Sequence, residues 1–257
     1  MTIAWIEPAR DPSGKPDAPL PAQVRALTTT RHGGVSTGPY AGLNLALHVG
    51  DDPSAVAENR RRLQADTRCE RIQWLNQVHG TACIRSTVEN WQSVPDADAA
   101  WTTERGLGLA ILTADCVPLV LCDRHASVLA VAHGGWRGLV SGVIEQLVGQ
   151  LPVAPEDLLA WLGPAIGPGA YEVGPEVAAA VNDRIGAGAG EAPVLMGGVS
   201  EDRWQLDLFE LSRRLLGGCG ITSVYSQRLC TASDTRFYSY RRDGRTGRMV
   251  TLAWLRA

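Results

Sequence analysis

The stretch Val128-Leu129-Ala130-Val131-Ala132-His133-Gly134-Gly135-Trp136-Arg137-Gly138 changes character twice. An apolar run of strand length leads to His133, and two glycines then turn the chain. Beyond them Leu139, Val140, Val143, Ile144, Leu147 and Val148 fall on one helical stripe. Strand, glycine loop and helix start in that order predict an α/β layer. Free N–H groups at such a helix start attract anions, and Arg137 adds a planar fork for phosphate or carboxylate. The loop matches neither the Walker nor the dinucleotide fingerprint, so close packing explains its glycines equally well.

Outward from this stretch, apolar runs at 107–113, 117–122, 158–162 and 249–255 also have strand length. The last two keep apolar residues on both parities, which predicts strands covered on both faces. Short strands are also expected at 3–6 and 24–29, separated by a Pro-rich loop at 8–22. Asp52-Pro53 opens a helix, with a capping side chain before a proline at the first helical position. Further helices are read at 174–185, with Val177, Val181 and Ile185 on one face, and at 207–216, closed by Gly217-Gly218. Residues 186–198 have the composition of a mobile loop and form a candidate lid. Strands interleaved with helices predict an α/β fold, organised as a single domain over 1–257.

The 257 residues, 45% of them hydrophobic, are enough to bury one sizeable core. A net charge of −3 leaves no global basic field, and the densest positive run, Arg60-Arg61-Arg62, reads as part of a surface helix. Nucleic acid is therefore not an expected partner. No window approaches the roughly 18 apolar residues of a membrane span. Glu7 and Arg10 stand where a secretory signal needs an apolar centre, so a cytoplasmic protein is expected. The six cysteines lack CxxC spacing, which argues against a disulfide framework or zinc knuckle and for small buried hydrophobes.

Three residues with soft donor atoms stand in turn-rich surroundings: His79, Cys116 and His133. Two imidazoles and a thiolate match a catalytic zinc site, whose fourth position is left to water or substrate, and copper accepts the same donors. No local spacing holds the three together, and each alone reads more readily as structural. Position raises the joint reading: Cys116 and His133 both follow apolar strands, at whose ends α/β sheets bind ligands. Asp115, directly before the cysteine, is the candidate to orient an imidazole. Arg241-Arg242-Asp243-Gly244 reads as a solvated turn that can also deliver the Arg242 guanidinium to the same rim.

Several segments, taken together, resemble one family. They include Thr30-Arg31-His32-Gly33-Gly34-Val35-Ser36, Leu43-Asn44-Leu45, His48-Val49-Gly50-Asp51-Asp52, Asn76-Gln77-Val78-His79-Gly80 and Asp96-Ala97-Asp98-Ala99. Thr113-Ala114-Asp115-Cys116, the His133 to Gly138 loop, Gly163-Pro164-Ala165-Ile166-Gly167-Pro168 and Tyr240-Arg241-Arg242-Asp243-Gly244 continue the match. The chain thereby resembles the laccase-domain proteins, also described as multicopper polyphenol oxidoreductases, peptidoglycan editing factors or purine nucleoside phosphorylases. It departs at Gly134, where the family pattern has Ala, a change expected to matter little.

The resemblance implies facing β-sheets flanked by helices, similar to a group of cysteine hydrolases, and a zinc or copper site at His79, Cys116 and His133. It implies phosphorolysis of adenosine, inosine and methylthioadenosine, deamination of adenosine, or removal of a wrong amino acid from a UDP-muramyl precursor of the cell wall. For phosphorolysis our own expectation is that Arg137, Arg31 and Arg242 hold phosphate, while Asn44 and Gln77 bind hydroxyl or amide edges. The laccase description conflicts with the histidine count: only five exist, at 32, 48, 79, 125 and 133, whereas oxygen reduction needs a further copper cluster rich in imidazoles. The zinc-deaminase signature HxE with PCxxC is absent as well, so any deamination uses another arrangement. Two rivals stand beside the metal enzyme: a hydrolase with Cys116 as covalent nucleophile, and a non-catalytic nucleotide or metal binder. A monomer or homodimer is expected.

Overall fold

The computed structural model describes residues 3–8, 20–186, 192–198, 200 and 202–257. In chain order the elements are β1 (Trp5–Ile6), β2 (Val24–Thr29), α1 (Pro53–Thr67), β3 (Arg71–Gln73), β4 (Cys83–Arg85), β5 (Ala99–Thr102), β6 (Leu107–Thr113), β7 (Val117–Asp123) and β8 (Leu129–Gly134). There follow α2 (Trp136–Ser141), α3 (Val143–Val148), β9 (Leu158–Leu162), β10 (Glu172–Val173), α4 (Pro175–Ile185), β11 (Leu195–Gly197) and β12 (Trp204–Leu206). The last elements are α5 (Leu208–Gly218), β13 (Ser223–Ser226), α6 (Tyr240–Asp243) and β14 (Met249–Leu255).

Side-chain alternation along the strands builds the layers. A six-stranded sheet, ordered β13-β9-β7-β8-β5-β4, faces a five-stranded sheet, ordered β1-β2-β14-β6-β3. Val120, Cys122, Val131 and Trp161 of the first meet Ala26, Leu109, Ile111 and Ala253 of the second. The intervening residues point the other way. Leu119, Leu121, Ala130 and Ala132 pack under Leu139, Ile144, Val181 and Leu211 of helices α2 to α5, and Leu27, Ala110 and Leu252 pack under Leu63 of α1. The result is the mixed α/β class that the strand and helix pattern predicts, in the arrangement of facing sheets flanked by helices that the family resemblance implies. Strands apolar on both parities follow directly, because each central strand has a sheet on one side and helices on the other.

Local signals account for most boundaries. Asp52 caps α1 by accepting from Ser54 N–H at 2.8 Å, with Pro53 in the first helical position. Asp207 caps α5 in the same way through Glu210 N–H. Gly217 and Gly218 lie inside the last turn of α5 and do not terminate it. The single stripe expected after Gly138 is two short helices, because Gly142 at φ 97 enters the left-handed region and breaks it. The strand expected at 128–132 runs on to Gly134, which places His133 inside it.

Of the candidate lid, residues 187–191 lie outside the described residues, and Leu195–Gly197 is a strand paired to β12. Of the 8–22 loop, 9–19 lie outside them too. Among the described residues no helix is long and apolar enough to cross a membrane.

Candidate metal centre

Cys116 and His133 meet because β7 and β8 form an antiparallel hairpin. Pro118 pairs with His133 and Val117 with Gly134, so the residue entering β7 lies beside the residue leaving β8. The sequence reading put both residues on one rim of strand ends. In the structure Cys116 does follow a strand end, in the crossover that leaves β6 in one sheet for β7 in the other, and it lines one cavity with His133.

His79 arrives on a loop after β3, and a carboxylate brings it in. The β5–β8 register pairs Ala99 with Ala132, which sets Asp98 next to His133. Fully buried Asp98 accepts from the N–H groups of Val78 at 3.1 Å, His79 at 3.1 Å and Gly80 at 2.7 Å, and from His133 Nδ1 at 2.8 Å. Its carbonyl also accepts from His133 N–H at 2.7 Å. The left-handed turn at His79, φ 59, is thereby pinned from three consecutive amides.

The donor atoms of His79, Cys116 and His133 all lie within 4.8 Å of one another, and the two imidazoles stand edge to face with centroids 4.7 Å apart. Asp98 occupies Nδ1 of His133, which leaves Nε2 for the centre and fixes the ring, as carboxylates do behind metal-binding histidines. The donor set and its spacing fit a soft or borderline divalent cation.

The same contacts set the charges. Burial pushes the Cys116 thiol up, but the charge of His133 and hydrogen bonds from both imidazoles outweigh it and bring the thiol down to about 6. Burial pushes His133 down, and the Cys116 thiolate with Asp98 lifts it to about 9. Without a metal the pair is therefore thiolate and imidazolium between those limits. Burial instead pushes Cys69 up to about 11 and Cys83 and Cys122 up to about 12. A lowered acid is ionised above its folded value, so alkylation of metal-free protein by iodoacetamide should climb through about pH 6 and level off by about pH 7.5. Peptide mass spectrometry checks it: a rate still rising tenfold from about pH 7 to 8, as for an ordinary thiol, contradicts the ion pair.

Asp115 does not orient an imidazole. Its backbone sits at φ 102, and its carboxylate accepts from Thr231 Oγ1 and Arg241 N–H, each at 2.7 Å. It ties the crossover turn to the segment that carries α6, and Asp98 does the work expected of it.

The three donor residues line a cavity of about 430 Å³, of the size that takes small molecules. Gln77 and Arg137 line it too, as expected. The Gln77 amide is engaged on both sides by Leu112, at 2.7 and 2.9 Å, and so fixes the end of β6. Arg31, Asn44 and Arg242 are not among the lining residues. Arg31 stacks 4.9 Å over the Tyr238 ring, and Asn44 is fully buried between Asp51, Ala46 and Arg248 N–H. Arg242 is spent on Asp243 and on the carbonyls of Thr231 and Phe237. Those three side chains hold loops together.

Lining residues that sequence reasoning missed are His48, Tyr171, Tyr240, Arg241 and Arg248. Burial, with Arg248 and Arg60 nearby, pushes His48 below its ordinary value. One signal was available for Asp98, since it stands immediately before an apolar strand in Asp96-Ala97-Asp98-Ala99.

Both glycines of the turn are under steric demand. A Cβ on Gly134 would meet Val117 O at 2.7 Å, so the departure from Ala is not indifferent in this chain. A Cβ on Gly135 would stand 3.1 Å from His79 Cδ2 and 3.2 Å from Cys116 Sγ, although its backbone at φ −73 suits any residue. Gly135→Ala should therefore weaken the binding of a divalent metal, with zinc as the probe, roughly tenfold by displacing donors, with the apo melting temperature within a few degrees of the parent. Competition against a chromophoric chelator measures the first and calorimetry the second.

Residues 25–256 match the family model described as multi-copper polyphenol oxidoreductase laccase. A purine nucleoside phosphorylase of Pseudomonas aeruginosa is 48% identical over 241 residues, 93% of this chain and 97% of that protein. The Escherichia coli purine nucleoside phosphorylase YfiH is 43% identical over 242 residues, with the same coverage. A crystal structure of a Neisseria meningitidis protein superposes with TM-score 0.89 at 38% identity, covering 98% of this chain and 99% of that one. The YlmD structure from Geobacillus stearothermophilus gives 0.88 at 34%, covering 98% and 96%. With a family match over nearly its whole length and such relatives, this chain belongs to the multi-copper polyphenol oxidoreductase laccase family.

Proposed function

We propose that this chain, acting as one domain, is a metal-dependent purine nucleoside phosphorylase whose reaction centre is His79, Cys116 and His133. The observation that carries the reading is the convergence of those three donors on one cavity, and the names of the relatives support the reaction class. His79, Cys116 and His133 would hold zinc, which would supply Lewis acidity to the site, and copper fits the same donors.

In phosphorolysis the bond from C1′ to the purine nitrogen breaks and its electron pair leaves with the purine, which takes up a proton. A phosphate oxygen bonds to C1′, giving ribose 1-phosphate. Asp98 holds His133 and the His79 loop in place, Arg137 supplies positive charge to phosphate, and Gln77 keeps the end of β6 against the centre. Deamination of adenosine by water, releasing ammonia and inosine, is proposed for the same cavity. The small-molecule cavity supports an enzyme of small substrates, and a cytoplasmic monomer or homodimer is proposed with it.

Zinc-loaded protein given adenosine and phosphate should release adenine and ribose 1-phosphate, with ammonia from the deamination arm. Release of neither adenine nor ammonia above a His79→Ala control overturns the reading. A second reading rests on the thiolate and imidazolium pair: Cys116 attacks an amide carbonyl of a muramyl-peptide precursor, expels the amine, and water hydrolyses the thioester.

A further inference from the structure

We infer that Arg137, Arg241 and Arg248 together form an oxyanion site beside the metal centre, and that inorganic phosphate is its occupant. The identity of the occupant rests on the phosphorylase reading; the existence of the site does not.

All three arginines line the cavity that holds His79, Cys116 and His133. Each lies against an aromatic ring: Arg137 4.6 Å from Trp136, Arg241 4.9 Å from Tyr171 and Arg248 6.0 Å from Tyr240. Such contact restrains the guanidinium and leaves its N–H edge available. Arg25, Arg61, Arg184, Arg228, Arg236 and Arg242 each hold a carboxylate. Among the described residues, none of the three cavity arginines does.

Their hydrogen bonds leave donors unspent. Arg241 gives one nitrogen, Nη1, to the carbonyl of Glu172, and Arg248 gives Nη1 to the carbonyls of Thr246 and Gly247. Arg248 is partly buried, and burial opposes its charge. Burial outweighs the support that the Cys116 and Asp115 charges give Arg248, and among the described residues no carboxylate bonds it directly; a tetrahedral dianion offering several acceptor oxygens supplies that direct partner.

A second, independent feature points to the same ligand chemistry. Thr113 lines the cavity at 1% exposure, and its buried hydroxyl has no hydrogen-bond partner among the described residues. A buried polar atom left unpaired is a rare expense; the hydroxyl is shielded from solvent, so an oxyanion in the cavity reaches it only as the lining adjusts around the ligand. The phosphate role expected of Arg31 and Arg242 therefore passes to Arg241 and Arg248, and Arg137 keeps its own.

The test titrates zinc-loaded protein with inorganic phosphate by calorimetry, then measures steady-state kinetics with adenosine. Arg241→Met and Arg248→Met should each weaken phosphate binding and raise the KM for phosphate at least about tenfold, with the KM for adenosine within about twofold. Arg25→Met, whose guanidinium stacks on Trp254 in a separate cavity, should leave both unchanged. On unaltered protein, phosphate should protect Arg137, Arg241 and Arg248, and not Arg25, from phenylglyoxal, as read by peptide mass spectrometry.

Phosphate affinity unmoved in folded variants, or modification of the three arginines unaffected by phosphate, overturns the inference. Protection at the three arginines without any purine release sustains the oxyanion site and removes the phosphorylase reading. Purine release with the phosphate KM unmoved in the variants does the reverse.

Discussion

Cys116→Ser is expected to lose tightly bound metal and to lower adenine release from adenosine and phosphate by at least about a hundredfold. The sulfur supplies both the soft donor and the negative charge of the centre, and a serine hydroxyl stays neutral at pH 7. Its loss also removes the thiolate that lifts His133 to about 9, so His133 falls and the charge pattern of the cavity changes with it. Lewis-acid stabilisation is worth several kcal/mol, and about 1.4 kcal/mol is a factor of ten, hence the size of the effect. Folding should be little disturbed, because the two side chains are close in shape and Cys116 is only partly buried.

Chelation separates the two chemical readings. Stripping the metal from unaltered protein should reproduce the Cys116→Ser loss, and added zinc should restore activity to the stripped protein but not to the variant. Full activity after exhaustive chelation, combined with a dead Cys116→Ser variant, would instead establish the sulfur as a covalent nucleophile.

What the sequence revealed depended on how local the signal was. The strands at 107–113, 158–162 and 249–255 were legible to the residue, because a central strand between two apolar layers leaves an uninterrupted apolar run. The donor trio was legible from residue type and turn context and from the family resemblance. The hairpin register that joins Cys116 to His133 was not, since a pairing of β7 with β8 is a property of the folded sheet.

Adjacency misled at two places. Asp115 neighbours Cys116 in the chain, yet its φ of 102 sends the carboxylate to Thr231 and Arg241, whereas Asp98 reaches His133 across a strand pair. Arg241 and Arg242 are consecutive in the single turn of α6, but Arg242 is held by Asp243 and the carbonyls of Thr231 and Phe237, which leaves Arg241 to line the cavity. Asn44 and Arg31 belong to segments that match the family, but their side chains are consumed in holding the 31–51 loops.

Asp98→Asn should cost more than the loss of one charge. Oδ1 of Asp98 accepts from His79 N–H and His133 Nδ1, and Oδ2 accepts from Val78 N–H and Gly80 N–H. All four partners are donors once His133 carries its proton on Nδ1. An asparagine amide has one oxygen, so whichever way it flips, its NH2 faces donors and two of them lose their acceptor. Buried donors left unpaired cost about 1–3 kcal/mol each, which predicts a destabilisation of about 2–5 kcal/mol and a melting temperature lower by roughly 5–15 °C.

The metal should suffer separately from the fold. Without the carboxylate, His133 is no longer held in the tautomer that presents Nε2, and the 78–80 turn that delivers His79 is released, so zinc affinity should fall about 10–100-fold. Asp98→Glu keeps the charge but moves it by a methylene into a fully buried site, and should not rescue either quantity. Chelator competition and calorimetry on the metal-free variants read the two effects apart. An Asp98→Asn protein that melts with the parent and binds zinc equally well would mean that His79 and His133 reach the centre without this carboxylate, and that their convergence has another structural origin.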